Sequence, residues 1–483
     1  MNIFRSVWRK ILLLQLENYH LGRFRQLAAK REAYTDSTRQ RIKWTAKLIL
    51  VAGLAKLIIL AMAGLVAVVI HLIVPSGYPA IVVFVGVFLA AVSIFEYFLA
   101  AAVIILLPLD RYIKQRWIVR ARAKIKSLPN LKIVAVAGSY GKTTTKEVVA
   151  TILREKFQVV VTPGTENTPL GIARLIKREV DSQTEVLVIE MGEHEPGDIR
   201  DLCQIAPPHL SVLMGINEAH LERMGSLANA TAALFEIVTY ARPETMVFLN
   251  ADSPLIAQHA KEYCGQHETI WFSAQGHSRA RFQIKQPEFR ADGSGWRFEF
   301  WEDKRKIGSY QVPILGEYIL GTVMAAVAIA QKLGLTDSEI TRGVSQIKPV
   351  AHRLQLISGH RDILVIDDSY NGNPDGVREA IRVLVHFPDR RKVFFTPGLL
   401  ETGERTREIH LRIGQELALV ADLVILIRNS VTPHLAEGLR AKNFLESNII
   451  WFDNTLAAHA ALANILKPRD VILFQNDWPE DYL

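Results

Sequence analysis

The segment Gly138-Ser139-Tyr140-Gly141-Lys142-Thr143-Thr144 gathers two glycines, a lysine and two threonines into seven residues. The apolar run Lys132–Ala137 leads into it and the helical period Lys142–Phe157 leads out. Between a strand and a helix, those residue types suit a phosphate chain. Glycines let successive backbone N–H groups close round phosphate oxygens, and the helix N-terminus adds positive potential. Lys142 is placed to reach the outer phosphates, and the Thr143 hydroxyl is a ligand type for Mg²⁺. The loop is shorter than the common eight-residue pattern, because Val136 stands where the first glycine of that spacing would fall.

Two more polar residues fall where they can share the site. Glu190 closes the apolar run Glu185–Glu190, and His220 follows the run Ser211–Ile216. In parallel α/β sheets, ligands bind at the carboxyl ends of strands. A carboxylate there offers a hard oxygen to Mg²⁺. On residue type alone Glu190 reads equally as a surface or helix-capping carboxylate, and His220 as an ordinary loop histidine.

The elements that must hold these residues alternate between short apolar runs and helical periods. Strands are expected at Lys132–Ala137, Val159–Thr162, Glu185–Glu190, Ser211–Ile216 and Met246–Leu249, with helices such as Leu227–Ala241 between them. That alternation predicts an α/β fold with a mostly parallel sheet. Thr269–Phe272, Arg281–Lys285, Trp296–Trp301 and Gly308–Pro313 suggest an antiparallel extension, followed by a helix over Tyr318–Leu333. A second α/β unit begins near Ala351, with strands at Ile363–Asp367, Lys392–Thr396, Leu423–Ile427, Ile449–Phe452 and Asp470–Phe474.

With the loop placed, "GSYGKTTTK" resembles the ATP loop of the Mur ligase family, over roughly residues 131–483. The resemblance is nearest to the branch that adds D-alanyl-D-alanine to a UDP-N-acetylmuramoyl tripeptide. Seven further motifs stand in that family's order: "NTPLG" at Asn167–Gly171, "IEMGEHEPGDI" at Ile189–Ile199, "NEAHLERMGS" at Asn217–Ser226, "LNADS" at Leu249–Ser253, "HRLQ" at His352–Gln355, "DDSYNGNPD" at Asp367–Asp375 and "TPGLLETGE" at Thr396–Glu404. The resemblance implies a P-loop ATPase-like central domain (110–350) and a Rossmann-like C-terminal domain (351–483). It implies ATP and Mg²⁺ as cofactors, with Gly138, Ser139, Tyr140, Gly141, Lys142, Thr143 and Thr144 round the phosphates. Asn250 would stand near the adenine, and Arg353 and Asp368 near the nucleotide and ribose. Lys142, Glu190 and His220 become the catalytic set, with Thr143, Glu190 and His220 as metal ligands. Asn167, Thr168, Asn371 and Asn373 become substrate contacts, although on composition 371–374 is an ordinary turn. The implied reaction activates a substrate carboxylate as an acyl phosphate, which an amine then attacks.

The chain departs from the family in four places. The lysine whose carbamate binds a metal is matched by Leu234, with Glu236 and Glu222 as the nearest acidic replacements. Tyr318, Ile319 and Thr322 replace a histidine and two asparagines. The C-terminal "LFQNDWPEDY", Leu473–Tyr482, replaces a Lys-Gly-Ser. The UDP-binding front domain is replaced by a basic segment (1–47) and an apolar region (48–109).

That front region reads as a membrane hairpin. Leu48–Ile70 carries one charge, Lys56, and Ala80–Leu107 carries one, Glu96. About 20 apolar residues span a bilayer as a helix. Residues 1–47 hold 11 Lys/Arg against 3 Asp/Glu, and residues 110–132 hold 8 against 1, while the link His71–Pro79 holds none. The basic flanks predict a multi-pass protein of the cytoplasmic membrane, with its N-terminus and catalytic domains in the cytoplasm. Lys56 and Glu96 would either pair across the hairpin or leave Lys56 snorkelling to the interface. Ile3, Phe4, Val7, Trp8, Ile11, Leu12 and Leu14 mark an apolar helical face suited to an anionic lipid surface or to packing on the soluble part.

The net charge of +8 is therefore confined to the membrane flanks, and no nucleic-acid partner is expected. Cys203 and Cys264 are too few for a disulfide framework and read as thiols of a reducing compartment. The reading that follows is a membrane-anchored, ATP-dependent amide ligase joining an amino acid or dipeptide to a cell-wall peptide precursor. Alternatives are the same chemistry on a lipid-linked or non-peptidoglycan substrate, or a nucleotide-binding scaffold without catalysis.

Overall fold

A computed structural model describes residues 3–17, 19–29, 42–74, 77–164, 166–193, 195–217, 224–265, 267–290, 293–349, 352–358, 362–369, 372–399 and 402–476. The chain divides into two compact units, one within 1–116 and one over 117–478. His220, Glu222 and Asn371 lie outside the described residues.

The first unit is helical: α1 (Ile3–Leu16), α2 (Leu21–Ala29), α3 (Ala46–Ile73), α4 (Gly77–Ser93) and the first part of α5 (Phe95–Lys126). Its core joins Ile11, Leu13, Leu14 and Phe24 to Leu48, Val51, Ala55 and Ile59 of α3 and to Phe95, Leu99 and Val103 of α5. The apolar face of α1 thus packs on the hairpin helices, with Trp8 left exposed. Of the described helices, α3 is long and apolar enough to cross a bilayer. The second apolar run is not one straight helix. Its two halves meet at Ile94 with a bend of 79°. At the bend Lys10 Nζ donates to the Ser93 carbonyl at 3.0 Å, and the Tyr97 N–H donates to Ile94 O at 3.1 Å. Lys10 also pairs with Glu96, so the pairing of Lys56 with Glu96 does not form. Lys56 is exposed.

The second unit holds two sheets. In the nine-stranded sheet the order is β2-β3-β1-β4-β5-β6-β7-β8-β9, with β1 Lys132–Ala137, β2 Val159–Val161, β3 Val186–Glu190, β4 Leu210–Leu213, β5 Met246–Asn250, β6 Thr269–Ser273, β7 Phe282–Phe289, β8 Trp296–Glu302 and β9 Arg305–Val312. Pairings up to β6–β7 are parallel, and β7–β8 and β8–β9 are antiparallel. Helices cover both faces. One core joins α6 (Lys142–Leu153) and the helix Tyr318–Lys332 to Val134, Val136, Val188 and Phe248. The other joins α7 (Pro169–Glu179), α8 (Asp198–Ile205) and the helices Leu227–Thr239 and Pro254–Tyr263 to Ile133, Ala135 and Leu187.

The six-stranded sheet runs β10-β11-β15-β12-β13-β14, with β10 Gln355–Ser358, β11 Leu364–Asp368, β12 Lys392–Thr396, β13 Leu423–Ile427, β14 Ile449–Phe452 and β15 Val471–Gln475. Its pairings are parallel except β10–β11, and β10 was not anticipated. In the first sheet β1 leads to α6 and the chain then moves outward to β2, while β4 lies on the other side of β1. That reversal of strand order opens a crevice at the carboxyl end of β1.

Candidate functional site

The loop after β1 fills that crevice. Gly138 and Gly141 have φ of +147° and +77°, and Gly141 caps α6. A side chain at either would be strained. Gly215, after β4, has a different constraint: a Cβ there would stand 2.1 Å from the Tyr140 ring. The Ser139 N–H donates to Gly215 O at 2.8 Å, and Ser139 Oγ accepts from the Asn217 N–H at 3.1 Å. Tyr140 is half-buried, and loss of water round its ring, reinforced by Asp375 and Asp252, pushes its phenol up to about 12. It stays neutral at physiological pH.

Lys142 turns back over its own loop to Gly138 O and pairs with both oxygens of Glu193 at 3.1 Å. Thr143 Oγ1 donates to Glu190 Oε2 at 2.9 Å, and Asn167 Nδ2 donates to Glu190 Oε1 at 3.2 Å. Lys146 Nζ lies 3.5 Å from Glu190 Oε2 and donates to Gly164 O at 2.7 Å. Glu190 is 2% exposed and Lys146 0%. Charges this deep persist only with partners, and each has them. Gly192 makes room for Asn167, whose Cγ would meet a Cβ at 2.5 Å.

The structure therefore brings Gly138, Ser139, Tyr140, Gly141, Lys142, Thr143, Thr144, Glu190 and Asn167 to one place. Glu193 and Lys146 belong with them and were missed. Thr168 caps α7, accepting from the Gly171 N–H at 3.3 Å, and Asn373 caps the helix Pro374–Val385, accepting from the Gly376 N–H at 2.9 Å. Asn217 reaches from the loop to Asp375 Oδ2 at 2.8 Å and to Asn373 Oδ1 at 3.4 Å, linking the two sheets' loops. Both polar atoms of Asn250 are bonded internally, to Met214 O and the Asp252 N–H, so it shapes the strand end rather than offering a free donor.

Arg353 lines a small crevice with Thr144, Ile314, Ile319, Lys348, Pro349 and Leu354. Its neighbours His352 and Leu354 have φ of +63° and +42°, a strained stretch between the two sheets. Burial pushes Asp368 up to about 7, against the pull of Arg353 and a 3.1 Å hydrogen bond from the Leu354 N–H.

The residues present fit a hard divalent cation at one position. Thr143 and Glu190 supply oxygens within hydrogen-bond distance of each other, and Mg²⁺ characteristically takes few protein oxygens plus phosphates and water. A carbamylated lysine does not fit. Leu234 is 1% exposed, in the core with Ile199, Leu202 and Phe235. Glu236 is not a substitute, since its two oxygens accept the Gly197 and Arg200 N–H groups at 2.8 and 2.9 Å and cap α8. Among the described residues no three His, Cys, Asp or Glu side chains form a metal-binding group.

Comparison with known proteins agrees with this geometry. The Mur ligase middle domain model matches residues 136–330, and the Mur ligase glutamate ligase domain model matches residues 352–475. The chain belongs to the Mur ligase family. As a Mur ligase it is an ATP-dependent, ADP-forming amide ligase. It is 26% identical over 356 residues to the UDP-N-acetylmuramoyl-tripeptide–D-alanyl-D-alanine ligase of Bacillus subtilis, covering 74% of this Mur ligase and 75% of that one. It is 29% identical over 317 residues to the ligase of the same name from Mycobacterium tuberculosis strain H37Rv, covering 62% and 58%. The MurF ligase of Thermotoga maritima in complex with ADP superposes with a TM-score of 0.66 at 27% identity, over 75% of this chain and 80% of that one.

Proposed function

We propose that this Mur ligase joins D-alanyl-D-alanine, or a similar amine, to the carboxylate of a muramoyl-peptide precursor at the membrane surface. The observation that carries the reading is the buried group Lys142–Glu193 and Thr143–Glu190–Lys146 at the carboxyl end of β1 and β3, in a chain similar to ligases named for that reaction. ATP lies along the loop from Gly138 to Thr144. Lys142 exchanges its Glu193 contact for the outer phosphates, and Thr143 and Glu190 hold Mg²⁺, which neutralises phosphate charge when bound. The substrate carboxylate attacks the γ-phosphorus and ADP leaves. The incoming amine attacks the acyl carbon of the resulting acyl phosphate, inorganic phosphate departs with the bonding pair, and the nitrogen loses a proton. The protein contributes positioning and charge neutralisation. The strained stretch His352–Leu354 is the hinge on which the second sheet closes, carrying Arg353 and Asp368 to the nucleotide and excluding water.

The hairpin anchors the enzyme in the cytoplasmic membrane, with the catalytic domains on the cytoplasmic side. Support comes from α3, whose most apolar window is only 17% buried, unlike a core helix. A lipid-linked acceptor is the second reading, favoured by that same helix.

The test is phosphate release by the full chain in detergent with ATP, Mg²⁺, a muramoyl tripeptide and D-alanyl-D-alanine, with Lys142→Ala as control. Release that needs both substrates and vanishes in the control is expected. Binding of ATP without release would reject this substrate pair.

A further inference from the structure

The hairpin and α5 share an apolar surface but not a direction. Counting from the turn after Ile73, α3 back to Lys56 and α4 forward to Ser93 cover about the same length, roughly 25 Å at 1.5 Å per residue. Polar groups collect where those lengths end. Lys56 is exposed there, and Lys10 binds both the Ser93 carbonyl and Glu96. At this level the chain turns by 79° into α5.

One side of α5 is covered. Phe95, Leu99, Ala102 and Val103 pack into the core with α1 and α3. The other side leaves Tyr97, Ile104, Ile105, Leu109, Tyr112 and Ile113 exposed. At about 100° per residue Tyr97, Ile104, Ile105, Leu109 and Tyr112 fall within about 140° of the helix circumference, and Ile113 falls at the edge of the covered face. Charges bracket the stretch. Lys10–Glu96 stands at its start, and Asp110 near its end pairs with Lys47 at 3.1 Å and Lys114 at 2.9 Å. The 15 residues from Phe95 to Leu109 are fewer than the about 20 a span needs, and the partly exposed ion pairs at both ends would be costly in hydrocarbon.

We propose that α5 from Phe95 to Ile113 lies in the plane of the membrane interface, its exposed stripe inserted at the boundary of headgroups and acyl chains, instead of crossing the bilayer. Anionic lipid is the partner. The Lys/Arg excess of residues 1–47 and 110–132 complements its charge, and Tyr97 and Tyr112 are side chains of the interfacial belt. The proposal rests on the membrane reading given under Proposed function and offers a different course for the expected second span over Ala80–Leu107.

The test measures depth. Single cysteines at Tyr97, Ile105, Leu109 and Tyr112, with Leu65 of α3 as a hairpin control, are labelled with a fluorophore in the full chain. The protein is reconstituted in phosphatidylglycerol–phosphatidylcholine vesicles carrying quenchers at graded acyl positions. Native Cys203 and Cys264 do not compete, since burial pushes their thiols up to about 12 and about 11. The expected result is one shallow depth, about 5–10 Å into the boundary, at all four stripe positions, with Leu65 deeper. A depth that changes steadily from 97 to 112, by roughly 22 Å at 1.5 Å per residue, would overturn the proposal. A quenched Leu65 with an unquenched stripe would also overturn it, since protein would then cover the stripe. No quenching anywhere would refute the membrane reading itself.

Discussion

Two places in the central domain treat charge in opposite ways. At the carboxyl end of β1 and β3, Lys142, Lys146, Glu190 and Glu193 are packed almost out of water and paired with one another. On the helix Leu227–Thr239, where the family pattern leads one to expect a charged lysine, Leu234 sits in a closed apolar core. Buried charge survives where opposite charge and N–H donors compensate it, and elsewhere an apolar side chain of similar volume restores a satisfied interior. In the proposed reading the site that remains is built round a cation position at Thr143 and Glu190, while His220 and Glu222 lie outside the described residues.

The largest effect should follow from breaking the charged place. Lys142→Ala should lower the ligation rate by about a thousandfold, roughly 4 kcal/mol of transition-state stabilisation, in a protein that still folds but with a lower unfolding midpoint, because buried Glu193 loses its partner. A variant retaining a tenth of the activity would remove the lysine from the mechanism. Next is the opposite change, Leu234→Lys, which buries a cation with no partner in view. Urea unfolding should show a loss of about 3 kcal/mol or more. A variant as stable as the parent would mean that the core round Leu234 opens to water or holds a compensating charge.

Asp368 lies between the two extremes, with one N–H and one nearby cation but not enough of either to stay ionised at neutral pH. Burial holds its folded pKa at about 7, above the ordinary carboxylate value of 3.8. The folded state therefore holds this proton while the unfolded state has lost it. Stability from this group falls as pH rises between those values, by at most about 1.4 kcal/mol per unit, and levels off above the upper one. In the variant Asp368→Asn, thermal unfolding should lose that slope and gain stability at pH 8 relative to pH 4. An identical pH profile in both proteins would place Asp368 in a wetter setting. The smallest effect is expected at Glu236→Gln, which weakens the cap on α8 and should cost about 1 kcal/mol with activity intact. Lost activity at unchanged stability would return Glu236 to the list of metal ligands.

The phosphate loop was legible because its residue types are contiguous and its conformations demand glycine. The mostly parallel sheet and most strand limits followed from apolar runs that survive burial on both faces, whereas the strand order did not. Glu193 and Lys146 were harder, since a glutamate in a loop and a lysine in a threonine-rich helix usually face water. A signal existed: Lys146 is one helical turn beyond Lys142, and Glu193 three residues beyond Glu190. The bend at Ile94 left no local trace, because no proline or glycine marks it and the side chain that bonds there, Lys10, is more than eighty residues away. Strand β10 was missed because four residues beside a strained turn carry little periodicity.

The account's central claim is that the loop at Gly138–Thr144 activates a carboxylate by phosphorylation. It is tested most directly by supplying the muramoyl tripeptide with ¹⁸O in its reacting carboxylate and analysing the phosphate released during ligation by mass spectrometry. One ¹⁸O transferred to inorganic phosphate for each amide formed is the predicted result. Amide formation with unlabelled phosphate would contradict it.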